Sequence, residues 1–496
     1  MAKRPTMPTE TNPAFLAIDA GTSALKAVLF SQQGQTLATT VQRYRYRTPA
    51  PGWAEADPQT WWRALTAALY HLRGQGYDLH ALQALGLTGQ MHTPVLLDEA
   101  GEAVAPAILW LDQRAGAELR ELQARLQLPP HQLNASFSLP KLLWLKRHRP
   151  QALARTRTLL WPKDYLRFRL TGRRLTDETD AAGAALLDWE RREWAEERLA
   201  LVGLSSQVLP EIAPPTAEAG PLRPEISARL GLSPRLRVIV GAGDVISLLG
   251  VAPMQPGRLI LILGSSTMLA LPASPHLQED PQHRLHRYPF LPTPILNGIQ
   301  STSGAALTWA WQTLRQDDAP FEKSIQQALA TPPGAEGLIF LPYLAGERSP
   351  YWDDALRAGF FGLTLSHQRP HMLRAVMEGV AFSVRHLIAI ARDLGAKVDE
   401  LALAGGGASV PGWPQIFADI CQRPVLSFDG EEAAAHTLFA FMRQARQPDR
   451  NLTEILTASL PPARAIFHPN SQLTERYNLA YARFLQLSDF LHATSL

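Results

Sequence analysis

FLAIDAGTSALKAVLF, Phe15 to Phe30, is an apolar run, one acid, a Gly-Thr-Ser turn and a second apolar run. This pattern predicts two buried strands joined as a hairpin. Asp19 is the only acid of the segment and ends the first strand. Gly21, Thr22 and Ser23 offer a tight turn with small hydroxyls and backbone N–H groups, a surface suited to phosphate oxygens. A carboxylate beside such a turn suits a magnesium-bound nucleotide phosphate, since Mg2+ takes one or two carboxylates and completes its shell with phosphate and water. The competing reading is an ordinary hairpin whose Asp and Ser merely close the turn.

A second segment of the same shape decides more. Gly257 is followed by RLILILGSSTMLALPA, again strand, hydroxyl-rich turn (Gly264, Ser265, Ser266, Thr267) and strand. The repetition predicts an internal duplication. Two domains are expected, 13–252 and 256–496, with the boundary between Gly250 and Gly257, where Pro253 and Pro256 interrupt the pattern. Two like domains, each opening on a phosphate-facing hairpin, suggest a nucleotide clamped in a central cleft. By analogy of fold this is the logic of the actin, Hsp70 and sugar-kinase architecture.

The bulk properties agree and exclude several classes. At 496 residues the chain exceeds what one core organises. With 46% hydrophobic and 19% charged residues it reads as globular. A net charge of +3 is small for this length, and no basic stripe points to nucleic acid. No run of about 18 apolar residues predicts a membrane span, and no signal-peptide core follows Lys3 and Arg4. The single cysteine, Cys421, rules out an internal disulfide and fits a reducing cytosol. A cytoplasmic location is therefore expected.

The remaining polar candidates stand at predicted strand ends, where open α/β folds bind ligands. Ala84–Leu87 reads as a strand running into Gln90, Met91 and His92, and Ala107–Trp110 as one running into Asp112 and Arg114. A histidine there also serves as a packed structural residue, and Trp110 and Arg114 read equally as a packing residue and a surface charge. Asp244 follows Gly241-Ala242-Gly243 and precedes an apolar run. At a helix start its ionised form would be favoured, as a proton-accepting carboxylate requires; an N-cap aspartate is the alternative. Gly405, Gly406, Gly407 and Ala408 follow a strand and precede a helix near Pro414. Three glycines let a ligand lie flat on the backbone, or form a plain strand-to-helix turn. No Walker A loop, no G-x-S-x-G elbow and no His/Cys metal cluster occurs.

Together these segments resemble the FGGY carbohydrate kinases, and among them the xylulose kinases most closely. The resemblance runs from about Phe15 to about Phe439. SFSLPKLLWLKRH at 136–148 and AGFFGLTLSHQRPHMLRAVME at 358–378 match the two family signatures. GLTGQMH at 86–92, WPKDYLRFRLTG at 161–172, LPYLAGERSPYWD at 341–353, GGGAS at 405–409 and FADICQRPV at 417–425 give the xylulose-kinase character.

The resemblance implies an α/β fold of two ribonuclease-H-like domains, the first binding sugar and the second nucleotide, and transfer of the ATP γ-phosphate to a sugar hydroxyl. By the same resemblance Asp244 is the base, and Gln90, Met91, His92, Trp110 and Asp112 bind sugar beside it. Asp19, with Gly21, Thr22 and Ser23, faces Mg2+ and phosphates, Asp19 reaching the metal through phosphate. Gly264, Ser265 and Ser266 form the second phosphate loop, and Gly405 to Ala408 lie against the nucleotide. The expected partner is a small-molecule sugar, D-xylulose first, with D-ribulose, L-xylulose or a glycerol-like polyol as alternatives; neither nucleic acid nor membrane is expected, and a homodimer is left open. A rival of another class is an actin-like binding module without transfer activity, against which Asp19 and Asp244 both argue. One departure bears on the sugar: xylulose kinases usually carry Asn directly after the base, where this chain has Val245. Valine cannot hydrogen-bond a sugar hydroxyl. The second loop reads GSST where GTSG is usual, and Thr93 follows His92 where glycine is usual.

Overall fold

The computed structural model describes residues 13–274, 277, 280–288, 294–314, 319–460 and 462–494. The opening hairpin forms as β1 (Pro13–Ala20) and β2 (Ala24–Ser31), closed by the Gly21 N–H to Ala24 carbonyl bond at 3.0 Å. It continues into antiparallel β3 (Thr36–Arg43), while β4 (Ala84–Gly89) joins the other side of β1 in parallel and β5 (Arg237–Val238) extends it. The sheet order is β3-β2-β1-β4-β5 among the described residues. β1 is apolar on both faces because both are covered, which is why it does not alternate.

One cover is the helix Pro58–Gly74. Asp57 caps it by accepting the Gln59 N–H at 3.0 Å, Pro58 sits in its first turn, and Trp61, Leu65, Ala68, Leu69 and Leu72 make its buried stripe. The other cover comes from far along the chain. Phe439, on the helix Ala433–Arg446, packs edge-on to Phe15 at 5.2 Å and against Phe30 at 5.1 Å. Compact packing accordingly divides the chain into one unit running to Ser247 plus Ala434–Ser459, and another of Leu248–Ala433 plus Leu460–Leu496. The two spans expected from sequence, 13–252 and 256–496, are each continuous; here Ala434–Ser459 groups with the first unit, where Phe439 packs on Phe15 and Phe30 of its sheet.

The second unit repeats the topology. β6 (Gly257–Leu263) and β7 (Thr267–Pro272) form the hairpin, with β8 (His286–Tyr288), β9 (Ile295–Gln300), β10 (Val398–Ala404), β11 (Val425–Ser427) and β12 (Ala465–Phe467) beside them. The run β9-β7-β6-β10-β11 matches β3-β2-β1-β4-β5 in order and in strand direction. The long helix Arg369–Asp393 buries Val376, Val380, Val384 and Leu387 in this unit's core. Among the described residues no helix is long and apolar enough to cross a membrane.

Candidate active site

In the first unit β1, β4 and β5 run parallel, so their C-terminal ends share one edge of the sheet. That edge gathers Asp19 from β1, Gln90, Met91 and His92 from the end of β4, and Asp244 from the loop after β5. The path to Asp244 runs tight against the sheet. A side chain at Gly241 would lie 1.8 Å from the Leu87 carbonyl oxygen, and its φ is +71°, so only glycine serves there.

Both acids hold protons more tightly than an ordinary carboxylate. Burial raises Asp19 to about 6, partly offset by the charge of Lys26. Asp244 is raised to about 7, chiefly by burial and then by the charge of Asp19, against the backbone N–H groups of Asp244 and Val245. Asp244 remains open to solvent although protein packs closely around it. The helix it opens is a single 3-10 segment, Asp244–Gly250. Its N–H groups lower the proton affinity less than desolvation raises it, contrary to the expectation of a strongly favoured anion.

The turn after β1 is held from three sides. Gly21 O accepts the Tyr44 hydroxyl at 2.6 Å and Gln90 Nε2 at 3.2 Å, and Trp110 Nε1 donates to Thr22 Oγ1 at 2.9 Å. Gln90, Trp110, Gly21 and Thr22 are thus brought together, with Ser23 exposed at the tip. His92 takes a left-handed backbone (φ +64°) and stacks on Phe137. Its Nδ1 lies 2.5 Å from the Gly183 carbonyl oxygen. Met91 packs where a side chain on Gly243 would come within 2.5 Å of its Cγ.

Asp112 stands apart from this group in its bonding. Both of its oxygens are engaged, by Arg114 and by the Ala54 N–H at 2.5 Å. Arg114 bridges Asp112 and Glu55, each at 2.7 Å, beneath the Trp53 ring. Arg114 is buried, not a surface charge, and this ion pair anchors the segment carrying Trp110.

Sequence reasoning passed over a buried group behind the edge. Lys163 lies 2.5, 2.9 and 3.0 Å from Asp164, Asp177 and Asp180, and Arg167 donates to the Val240 carbonyl at 2.6 Å. Burial and the charges of the neighbouring aspartates push the proton affinity of Asp180 well up, against the attraction of the Lys163 ammonium. Lys141 donates to the carbonyls of His92 and Ser136, and burial brings it down to about 7. The signal was present: WPKDYLRFRLTG and SFSLPKLLWLKRH place charges inside otherwise apolar helices.

In the second unit, parallel β6 and β10 end side by side, bringing Gly264, Ser265 and Ser266 next to Gly405–Ala408. The Gly264 and Ser265 carbonyls accept the N–H groups of Ser303, Gly304 and Ala305, which seats this turn on the start of the helix Gly304–Thr313. The three glycines differ in purpose. Side chains on Gly405 and Gly407 would strike Leu263 at 2.7 and 2.3 Å, whereas one on Gly406 meets nothing within 4 Å. Two glycines allow strand packing and one leaves an open surface.

The N-terminal domain of the FGGY family of carbohydrate kinases matches residues 14–250, and its C-terminal domain matches 259–436. The xylulose kinase of Bacillus subtilis (strain 168) is 30% identical across 94% of this chain and 95% of its own. The chain belongs to the FGGY family of carbohydrate kinases. It has the family's two-domain α/β fold, akin to actin and Hsp70, and the family's activity, ATP-dependent phosphorylation of a sugar. Two solved structures from Lactobacillus acidophilus bear on the choice of sugar. A ligand-bound xylulose kinase superposes with a TM-score of 0.88 at 28% identity, covering 97% of this chain and 99% of its own. A gluconate kinase superposes with 0.87 at the same identity, covering 97% and 98%. Backbone similarity therefore does not separate a ketose from a sugar acid in this FGGY kinase.

Proposed function

We propose that the chain transfers the γ-phosphoryl group of ATP to the terminal hydroxyl of D-xylulose, giving D-xylulose 5-phosphate. The observation that carries this reading is the shared sheet edge, where the ends of β1, β4 and β5 gather Asp19, Gln90, Met91, His92 and Asp244, with Met91 packed against Gly243. The similarity to xylulose kinases supports the sugar.

Asp244 accepts the proton of the attacking hydroxyl, and a proton affinity near neutrality suits that task. Met91 and His92, fixed against Gly243 and Gly183, orient the sugar, with Gln90 and Trp110 alongside. Asp112 supports them through Arg114 and the Trp110 segment. Gly21, Thr22 and Ser23 face the phosphates, with Gly264, Ser265 and Ser266 as the second phosphate turn and Gly406 as the open surface for the nucleotide. The residues fit Mg2+ held through phosphate: Asp19, at the end of β1 beside the hydroxyl-rich turn, offers hard oxygen donors. When bound, Mg2+ neutralises phosphate charge. Catalysis by the chain is otherwise positioning and exclusion of water.

ADP release is to be measured over a panel of D-xylulose, D-ribulose, L-xylulose, gluconate and glycerol. The highest kcat/KM is expected for D-xylulose. A higher value for any other acceptor replaces D-xylulose, and sugar-independent turnover of unchanged rate overturns the transfer reading.

A further inference from the structure

We infer that Thr179 is a positioning residue for Asp244, and that the short helix Glu178–Gly183 sets the geometry of the proton acceptor relative to His92. The inference rests on the reading of Asp244 as the base. Its starting point is the backbone N–H of Gly243, directly before Asp244, which donates to Thr179 Oγ1 at 2.7 Å in a buried setting.

A threonine hydroxyl has one proton and two lone pairs. The Thr179 proton goes to Asp177 Oδ2, which also accepts the Thr179 backbone N–H at 2.8 Å. The hydroxyl is thereby left only as an acceptor toward Gly243. Asp177 cannot turn away, because its other oxygen lies 2.9 Å from the buried Lys163 ammonium. Lys163 in turn contacts Asp164, which holds Arg167, and Arg167 donates to the Val240 carbonyl. The loop from Val240 to Asp244 is gripped at both ends by one buried charged network.

The same helix reaches the other half of the site. At its end the Gly183 carbonyl faces His92 Nδ1, and a side chain on Gly183 would come within 2.8 Å of that ring. Thr179 and Gly183 are four residues apart, one helical turn, so the spacing of Asp244 and His92 follows from helix geometry. A proton acceptor displaced by about 1 Å costs roughly a hundredfold in rate.

The test compares Thr179→Val, which keeps shape and removes the acceptor, with Thr179→Ser, which restores it. Thr179→Ala, which adds no atoms, serves if the valine variant does not fold. Asp244→Asn is assayed in parallel. At a temperature below every melting transition, kcat of Thr179→Val is expected to fall roughly 10- to 100-fold. KM for ATP should stay within about twofold and Thr179→Ser should recover most of the rate. A lower melting temperature with wild-type kcat overturns the inference while Asp244→Asn stays inactive. An active Asp244→Asn overturns the base reading, and the inference with it.

Discussion

The negative charge of Asp19, at the end of β1, raises the proton affinity of Asp244, beyond the end of β5. One sheet edge thus sets two acids against each other, with β4 between them. Removing the first charge should loosen the proton on the second. In Asp19→Asn the midpoint of the kcat/KM–pH profile is expected to move below that of the wild-type enzyme. The absolute rate should fall as well, because Asp19 is proposed to face the phosphates. A profile that keeps its midpoint while the rate falls would separate Asp244 from the observed ionisation.

Asp244→Asn removes the proposed proton acceptor and keeps its shape. Phosphoryl transfer is expected to fall roughly 10²–10⁴-fold with ATP affinity almost unchanged. Stability should move the other way. The folded pKa of Asp244 is raised from 3.8 to about 7, so its favourable contribution is full below about pH 4 and is lost as pH rises through 7. The asparagine variant is therefore expected to melt higher than wild type at pH 8, and the gap should close toward pH 4. Thermal melts across that range, beside single-turnover kinetics, check both halves.

The glycines of the second unit should separate by purpose. Gly405→Ala meets the Leu263 carbonyl at a backbone φ of +89°, and Gly407→Ala meets the Leu263 side chain. Both are expected to lower the melting temperature. Gly406→Ala meets open space and should fold normally while raising KM for ATP, because on the proposed reading a methyl group would stand where the nucleotide approaches. A Gly406→Ala enzyme with unchanged KM would move the nucleotide off this turn.

These three glycines also illustrate what sequence could reveal. Their position after a strand was legible, as were both hairpins, since each is a short-range pattern of apolar residues around a hydroxyl-rich turn. Which glycine serves packing and which leaves space depends on Leu263, more than 140 positions away, and no local pattern carries that. The same holds for the helix Ala433–Arg446. Its apolar face is plain, but nothing in its own residues says that Phe439 packs against Phe15 and Phe30. Asp112 read as a ligand from its place near a strand end, while its bonding to Arg114 and the Ala54 N–H appears only in three dimensions. Lys163, Asp177 and Thr179 were visible as letters, and their joint effect on Gly243 requires the fold.

Val245→Asn probes the acceptor sugar. Val245 is 5% exposed, so an asparagine there enters a largely dry position directly after Asp244. The two side chains are of similar volume, which keeps overpacking small. Without sugar, part of the new amide lacks a partner, and an unsatisfied buried polar group costs about 1–3 kcal/mol. The free variant is therefore expected to melt lower than wild type. With D-xylulose bound the amide gains a hydroxyl partner, worth roughly 0.5–1.5 kcal/mol net, so D-xylulose kcat/KM should rise about three- to tenfold relative to the other ketoses. Saturating D-xylulose should likewise raise the variant's melting temperature by more than it raises that of wild type. Melts with and without sugar, run beside the acceptor panel, read both effects on one preparation. A variant as stable as wild type but slower on D-xylulose would show that Val245 already serves that sugar, and that acceptor choice is set elsewhere along the sheet edge.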